Sequence, residues 1–274
     1  MWPRRCKLRA VERKGEEVTD LDDDYANMPY IPEGEAYPAR WAAQAEAFRD
    51  EAMMLEIGYD SGVRRQIDVF VPMGQAKGVL IFVHGGYWMK FSRRDFSHLA
   101  KGALEAGWAV ALPGYDLAPD VKISQISALV AMAVAEVARR FSGPIRLVGH
   151  SAGGHLVARL ASSNLLPPEV LARVEKVVPI SPVSDLEPLL RTSMNETFGL
   201  DAAEARAESP VHAPAPKMPV TVWVGENERP AFRDQARWLA EAWGCDLVVD
   251  PGKHHFDVIE GLEDESPLLQ AVIG

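Results

Sequence analysis

Ile145-Arg146-Leu147-Val148-Gly149-His150-Ser151-Ala152-Gly153-Gly154-His155-Leu156 carries the strongest structural signal in the chain. A short apolar run ends in a turn of small residues around one serine, and a helical period follows at once. This is the G-x-S-x-G pattern in the context it requires, a strand before and a helix after. The small residues have a physical reason: such a turn is tight and strained, and larger side chains flanking it would collide with the strand and helix it joins. The strain lifts the Ser151 hydroxyl clear of the backbone, at the positive end of the helix that follows. Ser151 is therefore the candidate nucleophile. The glycine spacing does not fit the G-x-G-x-x-G of a dinucleotide site.

Outward from this turn the chain alternates. Apolar runs at Val79–Val83, Trp108–Leu112, Ile145–Val148, Val177–Ile180, Val220–Val224 and Asp246–Val249 read as strands buried on both faces of a parallel sheet. Helical periods near 95–106, 123–140, 152–163 and 230–243 separate them, the last with Phe232, Ala236, Leu239, Ala240 and Trp243 on one stripe. Upstream, Met53–Tyr59, Asp60-Ser61-Gly62 and Gln66–Val71 read as a hairpin. The pattern predicts an α/β fold: a mostly parallel, doubly wound sheet entered through an N-terminal antiparallel hairpin. Residues 1–50 are acidic and dotted with proline. They end in a helical pattern (Trp41, Ala45, Phe48) and read as an extension packed on the body, so that 1–274 is one domain. Residues 187–215, long for a connection, read as a small cap.

Open sheets of this kind bind ligands at the carboxyl ends of their strands. After Val79–Val83 comes His84-Gly85-Gly86-Tyr87-Trp88, a Gly-Gly turn whose amides, Gly86 and Tyr87, together with that of Ala152, are expected to form an oxyanion hole. His84 reads as a loop-ordering residue. After the last strand comes Lys253-His254-His255-Phe256-Asp257, and one of these two histidines is the candidate base. The acid is expected after the penultimate strand, where Gly225-Glu226-Asn227-Glu228 offers Glu228, with Glu226 behind it. Asp185, in Ser181-Pro182-Val183-Ser184-Asp185-Leu186, is the alternative acid; its competing role is to cap the next helix. Tyr87, Trp88 and Asn195 are the candidate substrate-pocket residues, with Ser193 and Met194 beside the last.

These pieces resemble the kynurenine formamidase (arylformamidase) branch of the α/β-hydrolase fold, which borders the hormone-sensitive-lipase-like esterases. The resemblance rests on His84-Gly85-Gly86-Tyr87-Trp88, on Gly149-His150-Ser151-Ala152-Gly153-Gly154-His155-Leu156, on Tyr115-Asp116-Leu117-Ala118-Pro119, on Ser184–Leu189, on Asn195 with the Glu204–Pro210 stretch, and on His255-Phe256. It implies a Ser–acid–His triad of Ser151, Glu228 and His255, with no metal and no cofactor. It implies hydrolysis of small esters or aryl formamides resembling N-formylkynurenine, through an acyl-enzyme. The chain departs from the pattern in carrying Glu228 where Asp is common and Ser181-Pro182 where Ser-Gly is common. The alternatives are a general carboxylesterase or thioesterase without formamidase activity, and a non-catalytic ligand-binding member of the fold. An epoxide hydrolase or dehalogenase would need an acidic residue where Ser151 stands.

Composition narrows the partners. The chain has 274 residues, 47% hydrophobic, and its 39 acidic against 29 basic side chains give a net charge of −10. So acidic a surface repels nucleic acid and anionic membrane, while the expected partner, a small acyl or formyl compound, is what the site motifs and the resemblance imply. Oligomeric state stays open, a homodimer included. Cys6 and Cys245 match no disulfide framework or zinc spacing, which suits a cytoplasmic setting. The basic start, Met1–Ala10, lacks the apolar core of a signal peptide, and Ile123–Ala138 is too short to span a bilayer.

Overall fold

The computed structural model describes residues 21–274. Cys6, Asp20 and the basic start of the chain lie outside the described residues. Eight strands form one sheet: β1 (Met54–Gly58), β2 (Gln66–Phe70), β3 (Val79–Val83), β4 (Ala109–Pro113), β5 (Ile145–His150), β6 (Val174–Ile180), β7 (Thr221–Gly225) and β8 (Asp246–Asp250). Their spatial order is β1-β2-β4-β3-β5-β6-β7-β8. The β1–β2 and β2–β4 pairs are antiparallel, and every other pair is parallel. The expected hairpin-plus-parallel sheet is what forms.

Nine α-helices are described: α1 (Tyr37–Glu51), α2 (Lys101–Glu105), α3 (Ile123–Arg140), α4 (Ala152–Ala161), α5 (Pro168–Leu171), α6 (Asn195–Phe198), α7 (Ala202–Glu208), α8 (Pro230–Trp243) and α9 (Pro267–Ile273). They cover both faces. Val79, Ile81 and Val83 point to one side, with Ile126 of α3, Leu156 of α4 and Phe232 of α8. Leu80 and Phe82 point to the other, with Trp41 of α1 and Leu269 of α9. That is the strand period of two meeting the helix period of 3.6. The predicted stripe on α8 is buried throughout.

Two expectations are corrected. β8 is not buried on both faces: as the edge strand it leaves Leu247 37% and Val249 43% exposed. The stretch 95–106 is not one helix but short 3-10 turns leading into α2. The capped helix α9, which begins after Ser266, lay outside the sequence reading. Among the described residues no helix is long and apolar enough to cross a membrane.

The strand order locates the site. From β3 the chain passes to β4 on one side, while from β5 it passes to β6 on the other. Between β3 and β5, therefore, the connections diverge and leave a crevice at the carboxyl ends. The glycine turns after β3 and β5 both face it.

Candidate active site

The β5–α4 turn is strained in the way its composition requires. Ser151 sits at φ 56°, ψ −117° and is almost wholly buried. Its amide donates to the Ile180 carbonyl at the end of β6, 2.8 Å away. A β-carbon on Gly149 would lie 2.1 Å from the Gly153 carbonyl oxygen, and one on Gly153 would lie 1.9 Å from that of Val83. Neither separation is attainable, so helix α4 can start this close to the sheet only with glycine at both positions.

The loop after β3 lies directly against this turn. A β-carbon on Gly85 would approach Ser151 Cβ to 3.0 Å and the His150 carbonyl oxygen to 2.7 Å. Gly86, Tyr87 and Trp88 all have positive φ, at 104°, 50° and 55°. Several bonds hold that strained path. The Tyr115 hydroxyl donates to the His84 carbonyl at 2.7 Å, the Ala118 amide to that of Trp88 at 2.9 Å, and the Tyr87 hydroxyl to that of Tyr25 at 2.7 Å. His84 orders the loop as expected: Nδ1–H donates to the Gly85 carbonyl at 2.8 Å and the ring stacks on Tyr115. Burial lowers His84 from 6.5 to about 4, so the ring is neutral.

The two histidines after β8 separate cleanly. His255 is buried, and its Nδ1 meets Glu228 Oε2 at 2.6 Å. His150, next to Ser151, donates from Nε2 to the His255 carbonyl at 2.8 Å. The elbow and the His255 loop are thus tied together. Burial first, and His255 second, hold His150 well below the ordinary histidine range. His254 instead folds its own turn, its Nδ1 accepting the Phe256 and Asp257 amides, and packs edge-on against Tyr37.

Of the three carboxylates considered, Glu228 alone reaches His255. Glu226 accepts the Gly252 amide at the surface. Asp185 Oδ1 accepts the Glu187 amide at 2.9 Å, closing a local turn one residue before Leu186, which holds the cap position of the 3-10 helix Glu187–Arg191 in place of the Asp185 expected from sequence. Glu228 Oε1 receives the Gly225 amide at 2.8 Å and the Ser181 hydroxyl at 2.5 Å. Ser181 was missed by sequence reasoning. Its position just past a strand was visible, but nothing local marks its hydroxyl as facing Glu228.

Ser151, His255, Gly86 and Tyr87 open onto one cavity of about 400 Å³. Its wall is mainly apolar and aromatic, with Trp41, Phe91, Phe96 and Phe256 among the lining side chains. Of the expected pocket residues, Tyr87 lines it, as do Ser193 and Met194. Trp88 does not: it is fully buried in the core, edge-on to His155 and Phe198. Asn195 does not either, because its amide closes the turn after α6, donating to the Leu200 carbonyl and accepting the Leu200 amide. Sequence reasoning also missed the stretch from Asp22 to Pro29, which supplies one side of the wall. That stretch is held by Gln235 donating to the Tyr25 hydroxyl and by Arg229, which pairs with Asp23 and lies over the Tyr30 ring.

Comparison with known proteins agrees with this fold. Residues 80–265 match the Alpha/beta hydrolase family. The chain is 31% identical to the kynurenine formamidase of Salmo salar over 229 residues, 77% of each chain. A solved structure from Silicibacter sp. TM1040, provisionally assigned as a thioesterase, superposes with a TM-score of 0.92 at 53% identity, covering 93% of this chain and 99% of that one. The apo form of Thermogutta terrifontis esterase 2 shares the fold, with a TM-score of 0.63 at 21% identity over 80% of this chain and 90% of that one.

Proposed function

The chain belongs to the alpha/beta hydrolase family, on the branch that includes the kynurenine formamidases, and we propose that this hydrolase cleaves small esters or aryl formamides through Ser151, His255 and Glu228. The observation that carries the reading is the buried 2.6 Å contact between His255 Nδ1 and Glu228 Oε2, in a cavity that also holds Ser151 on its strained turn. With Nδ1–H donated to the carboxylate, Nε2 keeps its lone pair and acts as the base toward Ser151. Ser151 attacks the carbonyl or formyl carbon and His255 takes its proton. The buried carboxylate stabilises the imidazolium as it forms. The amides of Gly86, Tyr87 and Ala152 receive the developing oxyanion, where preorganised donors act most strongly. His255 then returns the proton to the leaving alcohol or amine, and water, activated the same way, releases the acyl or formyl group.

The aromatic wall suits a flat aryl group, as in N-formylkynurenine. The likeness to a provisionally assigned thioesterase supports a second reading, an acyl thioester substrate at the same serine. A cytoplasmic setting belongs to the same proposal. The test is hydrolysis of p-nitrophenyl acetate, an acetyl thioester and N-formylkynurenine by wild type and Ser151→Ala. Ser151-dependent formyl turnover exceeding that of both other substrates establishes the formamidase. Absence of any Ser151-dependent turnover rejects the serine hydrolase.

A further inference from the structure

We propose that Ser181 is a positioning residue of this site: its hydroxyl fixes the second carboxylate oxygen of Glu228, and its strained backbone is what aims that hydroxyl. The inference rests on the reading of Ser151, His255 and Glu228 given above. Ser181 is fully buried and stands at φ 47°, a left-handed conformation that costs a residue with a β-carbon. Such strain persists only where surrounding bonds impose it. Here the Ser181 amide donates to the Trp223 carbonyl of β7 at 2.7 Å, while the preceding Ile180 carbonyl receives the Ser151 amide. The dipeptide Ile180-Ser181 thus touches the nucleophile with one residue and the acid with the other.

The Ser181 hydroxyl goes to Glu228 Oε1 at 2.5 Å, joined there by the Gly225 amide at 2.8 Å. Oε2 is left to His255. A glutamate has one torsion more than an aspartate, so a carboxylate held by the imidazole alone could swing and carry the ring with it. Two donors on Oε1 remove that freedom. They leave the carboxylate with one direction in which to present Oε2, which sets the plane of the His255 ring. A left-handed serine at the end of β6 is a local rule broken in the core, and the orientation of the acid is what it secures.

The test compares wild type, Ser181→Gly, Ser181→Ala and Ser151→Ala on p-nitrophenyl acetate and N-formylkynurenine, with melting temperature measured alongside. Glycine deletes the hydroxyl and relieves the left-handed strain, whereas alanine deletes the hydroxyl and keeps it. Both Ser181 variants are expected to lose at least tenfold in kcat with KM within twofold of wild type, and the glycine variant to melt higher than the alanine variant. A serine that mattered only for folding would give the opposite pattern, with activity following stability and the glycine variant active. Should the alanine variant fail to fold, the glycine variant carries the test. Retention of kcat within twofold in Ser181→Gly, or a change confined to KM, overturns the proposal. Wild-type turnover that does not depend on Ser151 overturns the underlying reading and this inference with it, and the Ser151→Ala control separates the two results.

Discussion

Lowering the pH from about 8 to about 5 should remove roughly 4 kcal/mol of folding stability through two buried histidines alone. His84, under the β3 turn, and His155, on α4, are both held by burial at about 4, against 6.5 for a free ring. His155 donates from Nε2 to the Glu208 carbonyl, and its Nδ1 is buried with no hydrogen-bond partner. His84 Nε2 is in the same state. A second proton on either ring would have to enter without an acceptor. The sign follows. Above about pH 7 both folded and unfolded chains carry neutral rings and the histidines contribute no slope. As the pH falls through 6.5 the unfolded chain takes up protons that the folded chain refuses, so stability declines until the folded rings protonate near pH 4. Each pH unit in that window costs about 1.4 kcal/mol per histidine, hence about 2 kcal/mol each by pH 5. Against a total of about 5–15 kcal/mol for a typical domain, the loss is large. Urea unfolding at pH 8, 6.5, 5.5 and 5, read as ΔG from midpoint and slope, measures it. His155→Gln keeps a donor for the Glu208 carbonyl but cannot titrate, and should remove the roughly 2 kcal/mol that His155 contributes between pH 8 and pH 5. A wild-type ΔG that stays flat to pH 5, or a His155→Gln slope equal to that of wild type, would refute the reasoning.

Gly153→Ala should prevent folding or cost several kcal/mol, because its β-carbon would lie 1.9 Å from a β3 carbonyl oxygen; circular dichroism melts would show it. Glu228→Ala should lower kcat about 10⁴-fold. Asp185→Ala should leave turnover intact and cost only about 1 kcal/mol of stability, because its carboxylate caps a turn; if Asp185→Ala alone abolished turnover in folded protein, the acid would be misassigned. Arg93→Met should destabilise by about 3–5 kcal/mol in urea, since Asp68 is wholly buried and bonded to Arg93 Nε at 2.8 Å, leaving Arg94 at 3.5 Å as its remaining ion-pair partner.

How much of this was legible from sequence depended on how local the cause was. The elbow could be read because a strand-to-helix reversal within five residues demands glycine at Gly149 and Gly153, and the demand is written where it acts. The candidate base and acid were legible one step removed, from the rule that chemistry collects at strand ends; even so, the choice of His255 over His254 leaned on a family pattern. The structure separates them through the turn itself, which spends the His254 ring on its own backbone amides and turns His255 inward. β8 was misjudged because an apolar run does not reveal which strand ends the sheet.

The cavity wall was the least legible part, and Trp41 and Trp88 show why. Both are large aromatic residues almost without exposure, and composition cannot tell them apart. Trp41 reaches the cavity because α1 crosses one face of the sheet beside Phe96 and Phe256. Trp88 follows a cavity residue, Tyr87, with nearly the same positive φ, yet its ring lies on the other side of the loop, between His155 and Phe198. One step along the same loop thus decides whether an aromatic residue meets cavity or core. The wall gathers side chains from the Asp22–Pro29 stretch, from α1, from the loops after β3 and β8, and from the connection after β6. No window of sequence contains it. Reactivity in this fold follows from a few strand ends, each readable in place, whereas the shape that selects a substrate emerges only when distant segments close over them. That is why the motifs point to acyl transfer at Ser151 while the choice between ester and formamide belongs to residues that no motif contains.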